Sequence, residues 1–167
     1  RKFIAKYLPR TPANVERPRE LVRRQELRTL RPFVSIPHDA LELHDAIVAI
    51  SDFAVGETLD KILPTVTPDD RSRLPPIVAH SVALCVAHGV AGLEAKNLML
   101  GDISDRNTMY DPNTGLATLI DFDAATGQGL PGSEMMGSVG YIAPEVSAGC
   151  IKSDRTEVYA LGSLVHR

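Results

Sequence analysis

The longest apolar run, Ile77 to Leu93, constrains this fold more than any other feature. It is too long for a strand, and His80, Ser81 and His88 interrupt the unbroken stretch of about 20 residues that spans a bilayer. It predicts a buried helix over 77–98, with Pro75-Pro76 at its first turn, where missing amide donors cost little. His80 and His88 stand eight apart, which is no metal-ligand spacing, and are expected as core histidines. Charge sets further limits. The chain has 167 residues, with 18 Lys+Arg against 21 Asp+Glu, a net charge of −3. That balance lacks the basic excess a nucleic-acid binder needs. At 44% apolar and 23% charged residues the composition is that of a globular domain. Cys85 and Cys150 have no CxxC partner and read as thiols of a reducing, cytoplasmic compartment.

Around this helix the pattern alternates between short strands and helices. Phe3 to Leu8 reads as a strand ended by Pro9, followed by a Pro- and Arg-rich connection through Pro18. Leu21, Val22, Leu27 and Leu30 recur at helical spacing and predict an amphipathic helix over 19–30. The arginines at 17, 19, 23, 24, 28 and 31 are expected on its wet face. Ala40 to Leu43 and Ala46 to Ile50 flank His44-Asp45 as a hairpin, and a short helix begins at Gly56 and stops near Pro64. A second hairpin joins Thr108–Tyr110 to Leu116–Ile120 through a turn at 111–115. Gly127 to Gly140 reads as a flexible loop, and Ser153-Asp154 as the cap of a last helix running to the chain end.

The chemistry concentrates in the loops. Asp102 and Asn107 are separated by four intervening residues, and Asp121 follows the second hairpin in Ile120-Asp121-Phe122-Asp123. One Asp that can accept a hydroxyl proton, with an Asn and a second Asp able to hold a divalent cation, is the set phosphoryl transfer from ATP requires.

Here the chain resembles the protein kinase family, whose loops read H-R-D-x-x-x-x-N and D-F-G. The matching segments are Leu100-Gly101-Asp102 through Asn107, Asp121-Phe122-Asp123, and Gly137-Ser138 through Ala143-Pro144-Glu145. Thr156 to Gly162 is similar to the core helix that anchors the catalytic loop. The resemblance implies an α+β, two-lobed fold: a small, partial β-rich N-lobe over 1–51, a hinge over 52–56, and a partial helical C-lobe over 57–167, truncated after the core helix. It implies ATP and Mg2+ as cofactors and a protein substrate, with the oligomeric state left open; from the interrupted apolar run, no membrane segment is expected in this fragment. Asp102 would be the catalytic base, and Asn107 and Asp121 the metal ligands. Phe3-Ile4-Ala5-Lys6 resembles the strand carrying the ATP lysine, so Lys6 would hold phosphates. Glu26 would be its ion-pair partner, with Glu20 as the less favoured choice. Asp52 and Ala54 would offer backbone groups to adenine, with Ser51 as a small gatekeeper and Met109 beneath the ring.

Four departures stand against this pattern. Leu100-Gly101 replaces His-Arg, which makes switching by loop phosphorylation less expected. Ser104 stands where Ser/Thr kinases usually carry a lysine, Asp123 replaces the D-F-G glycine, and Glu157 replaces an Asp. The expected activity is phosphotransfer to a protein Ser/Thr hydroxyl, which Gly137-Ser138 favours. The alternatives are a pseudokinase or nucleotide-binding scaffold, and a small-molecule phosphotransferase of the aminoglycoside and choline kinase type. A kinase domain also has a glycine-rich hairpin before Lys6 and helices after the core helix, so the chain is expected to be the central portion of a larger domain.

Overall fold

The computed structural model describes residues 2–63, 74–127, 137–149 and 151–166. Pro64, most of the loop after Gly127 including Ser133 and Met135-Met136, and Cys150 lie outside the described residues. Strands β1 (Phe3–Pro9), β2 (Pro37–Glu42) and β3 (Ala46–Asp52) form an antiparallel sheet with β3 in the centre. Its central position buries Ile47, Val48 and Ala49. The register sets Lys6 opposite Ala49, and the β2–β3 turn falls at His44-Asp45 as predicted.

Helix α1 (Pro12–Arg23) starts earlier and ends earlier than the periodicity predicts. Thr11 accepts a hydrogen bond from the Asn14 amide (3.2 Å) and Pro12 fills the first turn, so a well-capped start lies inside the apparent connection. Pro18 removes one rung of the ladder without breaking the helix. At Arg24 the backbone leaves helical geometry (φ −83°, ψ 71°), and the chain tightens into a 3-10 turn over Gln25–Leu30.

Arg23 and Arg28 are exposed as expected, and Arg19, Arg24 and Arg31 are half-buried, each paired with a carboxylate. Glu42 on β2 takes both Arg10 and Arg19, which ties α1 to the sheet. Arg23 pairs with Glu20 (3.5 Å) and Arg31 with Asp52 (2.6 Å). Arg17 departs from the wet-face expectation altogether, since only 6% of it is exposed.

The core of the larger half is built on α3 (Pro76–Glu94), after the short β4 (Glu57–Thr58) and α2 (Leu59–Ile62). By length and composition alone α3 could cross a membrane, with a mean hydropathy of 1.6. Its residues Val82, Val86, Val90 and Leu93 nevertheless pack in the core, and the helix lies against the strand Leu116–Leu119 and the helix Asp154–His166. The two histidines depart from expectation, because both lie on the exposed side of α3, with His88 stacked on Phe33 at 5.3 Å. The helix stops short of Leu98 because the chain reverses through Asn97 (φ 53°) into β5 (Leu98–Met99).

The predicted second hairpin is β6 (Thr108–Asp111) and β7 (Leu116–Leu119), with β4 completing that sheet. The Asp111 carboxylate closes its turn by accepting from the Asn113 amide (3.0 Å) and the Thr114 hydroxyl (2.9 Å). Segment 33–35 bonds to Leu119 through two backbone hydrogen bonds, 2.8 and 2.9 Å, and thereby joins the two halves. Strand β8 (Thr126–Gly127) pairs with β5, then α4 (Pro144–Ser147) and α5 (Asp154–His166) follow. The start of α5 is held by Thr156, whose hydroxyl donates to the Ser153 carbonyl (2.7 Å), rather than by the Ser153 side chain.

Leu119 is fully buried where α3, β7 and the 33–35 segment meet, whereas Ile77 is 76% exposed. Leu119→Ala is expected to cost about 2–5 kcal/mol in denaturant unfolding. Ile77→Ala is expected to change stability by no more than about 0.5 kcal/mol.

Candidate active site

Three loops and one strand build the site, and each is aimed by something buried beneath it. Phe122 is only 6% exposed and belongs to the core. Phe122 anchors the segment between Asp121 and Asp123, and all three line the cavity beneath the sheet. Asp121 adopts a left-handed backbone (φ 69°), a conformation that Asp tolerates better than most residues. The Lys6 ammonium, arriving from β1, donates to both oxygens of Asp121 at 2.8 Å each and pairs with Asp123 at 2.8 Å. The Asp123 amide closes the cluster by donating to Asp121 Oδ1 (3.1 Å).

The electrostatics follow from this geometry. Burial works to discharge Lys6, but bonds and charges from Asp121 and Asp123 outweigh it and raise its pKa. Burial also opposes ionisation of Asp121, yet the Lys6 ammonium holds its carboxyl below the ordinary value. Asp123 is pushed up, first by burial and then by the neighbouring charge on Asp121.

The Asp102 carboxylate is fixed by three donors from two segments. Asn107 Nδ2 donates to Oδ2 (2.9 Å), the Ser138 amide to Oδ1 (2.7 Å), and the Ser138 hydroxyl to Oδ2 (3.3 Å). With Asn107 Nδ2 also on the Asp102 carbonyl (3.0 Å), the loop closes on itself. The Ile120 amide donates to the Asn107 carbonyl (2.9 Å), which brings Asn107 beside the segment leading to Asp121. Asn107 Oδ1 and the Asp121 carboxylate are oxygen donors, the kind that Mg2+ prefers when phosphates and water complete its shell. No group of three or more His, Cys, Asp or Glu residues able to hold a metal occurs among the described residues.

The departure at Gly101 has a steric reason. Its φ is +83°, and a Cβ there would stand 2.2 Å from the Ala124 carbonyl oxygen, so no L side chain fits. The Gly101 amide donates to Glu157 Oε1 (2.7 Å) and its carbonyl accepts from Lys152 Nζ (2.7 Å). Glu157 is 5% exposed, and burial pushes its carboxyl up to about 7.

A cavity of about 340 Å³ gathers Lys6, Ser51, Asp52, Ala54, Met109 and Asp121, all the residues assigned to nucleotide from the sequence. Asp102 lines a separate small cavity together with Ser138, Lys152 and Glu157. The Asp52 carbonyl already accepts a hydrogen bond from the Ser35 hydroxyl (2.8 Å), which holds this end of β3 from behind.

Glu26 is the expectation that the structure overturns. Because α1 ends at Arg23, Glu26 falls on the following 3-10 turn, exposed, with its carboxylate on Arg24 Nε (3.0 Å). The cavity-facing side of α1 carries Asn14, Arg17, Pro18 and Leu21 instead, and Arg17 Nε donates to the Ala125 carbonyl (2.9 Å). Sequence reasoning missed Arg17, Asp123 and Lys152 as members of the site. For Asp123 the signal was available, since it stands only two residues from Asp121 in the same loop.

The buried Glu157 has a measurable consequence. Below its ordinary value of 4.5 both folded and unfolded states hold the proton, and its contribution to stability is fully present. As pH rises from there through about 7 the unfolded chain releases the proton first, so stability falls. The expected loss is on the order of 3 kcal/mol, read by denaturant unfolding across that range. Glu157→Gln, which keeps an acceptor for the Gly101 amide, is expected to flatten the profile.

The sequence matches the protein kinase domain family over residues 2–167. The seven transmembrane domain-containing tyrosine-protein kinase 1 of Dictyostelium discoideum is 29% identical over 122 residues, covering 70% of this chain and 17% of that protein. A receptor-like protein kinase of Ipomoea nil is 30% identical over 93 residues, covering 50% of this chain and 8% of its own. The chain therefore spans a small part of the curated relatives it matches. Among solved structures, the Cydia pomonella Granulovirus kinase PK-1 superimposes with a TM-score of 0.77 at 17% identity, covering 98% of this chain and 60% of that one. At that identity the likeness speaks for the fold. Matched by the family along almost its whole length and folded like the viral kinase, the chain belongs to the protein kinase domain family.

Proposed function

We propose that this chain forms the nucleotide-binding and catalytic core of an ATP-dependent protein kinase that acts on Ser/Thr hydroxyls inside the cell. The observation that carries the reading is the meeting of Lys6 and Asp121 at 2.8 Å on the wall of the cavity that Ser51, Asp52, Ala54 and Met109 also line. In this reading the backbone at Asp52 and Ala54 meets the adenine edge, and Lys6 turns to the phosphates. Asn107 and Asp121 would hold Mg2+, which neutralises charge on the transferred phosphoryl group. Asp102, held by Asn107 and Ser138, accepts the proton of the substrate hydroxyl as its oxygen bonds to the γ-phosphorus. The bond from that phosphorus to the bridging oxygen breaks, and ADP leaves.

Ser138 supports a protein rather than a small molecule as acceptor, because the segment carrying it lies directly on Asp102. The choice of Ser/Thr over Tyr rests on the Gly137-Ser138 pair, and one relative is named a tyrosine-protein kinase. A second reading, a nucleotide-binding pseudokinase, is favoured by the grip of Lys6 on both oxygens of Asp121 and by Asp123 in the place of glycine.

Transfer of labelled γ-phosphate by the full-length protein decides between these readings. Wild type is expected to phosphorylate protein on Ser or Thr, and Asp102→Asn to lower kcat by about 10²–10⁴-fold without preventing nucleotide binding. A wild type that binds Mg·ATP but transfers no more phosphate than Asp102→Asn sinks the enzyme reading.

A further inference from the structure

Lys6 needs an anion to hold it, and α1 does not supply one. The two carboxylates on that helix face away, Glu16 to Arg19 (3.7 Å) and Glu20 to Arg23 (3.5 Å). What α1 sends into the site is a cation: Arg17, almost fully buried, bonds the Ala125 carbonyl two residues beyond Asp123, and Asp123 is close enough for its charge to act on the guanidinium. The carboxylates around Lys6 come from the metal loop itself, Asp121 and Asp123, each at 2.8 Å. Only one of them can stay with Lys6 while the other coordinates a cation, because a carboxylate engaged by a divalent ion is a weaker partner for an ammonium.

We propose that Asp123 is the positioning residue for Lys6, taking the part of a helix-borne carboxylate, while Arg17 ties α1 to the metal loop from the opposite side. The link between helix and site is thus reversed in sign, with the helix supplying the positive charge and the loop the negative one. Asp123 accordingly holds Lys6 in line with the phosphates after Asp121 has passed to the metal. A glycine at this position would supply nothing, so the substitution that departs from the family pattern serves as the replacement for the missing helix carboxylate. This inference rests on the nucleotide reading of the cavity given above.

The test is a double-mutant cycle on Mg·ADP affinity, measured by titration calorimetry on the full-length protein with the variants Asp123→Asn, Lys6→Met and both together. If Asp123 acts through Lys6, Asp123→Asn weakens binding about tenfold in the Lys6 background and less than twofold in the Lys6→Met background. Asp123→Glu, which keeps the charge, is expected to stay within about threefold of wild type. Thermal melts of each variant separate lost folding from lost positioning. Equal effects of Asp123→Asn in both backgrounds, or tighter binding without Asp123, overturn the inference and leave the nucleotide site standing. A wild type that binds no Mg·ADP overturns the nucleotide reading and this inference together.

Discussion

The site depends on one cluster, a lysine from the first strand held between two carboxylates of a loop more than a hundred residues away. Its energetic worth is modest. Lys6 and its partners are a third to two-fifths exposed, and ion pairs in such surroundings contribute on the order of 1 kcal/mol or less. Its importance is geometric, because it closes the sheet of the smaller half onto the loop of the larger one and so defines the cavity between them. The free energy that makes this possible comes from elsewhere: Phe122 buried in the core, and the 33–35 segment bonded to β7. Those contacts hold the backbone that carries Asp121 and Asp123 in place before any charge is counted.

A similar division of labour governs the carboxylate proposed as the base. Asp102 is aimed by hydrogen bonds from Asn107 and Ser138, yet the loop that carries it is held from below by Gly101, whose amide and carbonyl meet Glu157 and Lys152. The backbone conformation at Gly101 excludes a side chain, so the absence of arginine before Asp102 is a requirement of this packing. Glu157 is buried, and removing its side chain leaves the Gly101 amide without this acceptor. The loop that carries Asp102 and helix α5 are therefore mechanically one unit.

Much of this was legible in the sequence, for identifiable reasons. Strands β1 to β3 and the second hairpin follow from alternation and turn residues, and the long apolar run gave α3 correctly except at its end. The candidate site residues Lys6, Ser51, Asp52, Ala54, Met109 and Asp121 converge on one cavity because their motifs sit on rigid elements in a fixed order. What escaped was the region where local signals conflict. Pro12 and Pro18 read as a broken connection but lie within α1, and shifting that helix toward the N-terminus moved Glu26 out of the site and brought Arg17 in. The roles of Asp123 and Lys152 depend on contacts between distant segments, which periodicity does not encode. The two histidines of α3 were assigned to the core from the apolar run around them, although they occupy its outer side.

The central claim, that this cluster is a nucleotide site whose lysine is held by the metal loop, is tested most directly by a crystal structure of the full-length protein with Mg2+ and a non-hydrolysable ATP analogue. The expected result has adenine against the backbone of residues 52–54 and the metal on Asn107 and Asp121. Lys6 should have left Asp121 for the phosphates while remaining within hydrogen-bond distance of Asp123. Nucleotide bound outside this cavity, or Lys6 still gripping both oxygens of Asp121 with nucleotide present, would contradict it.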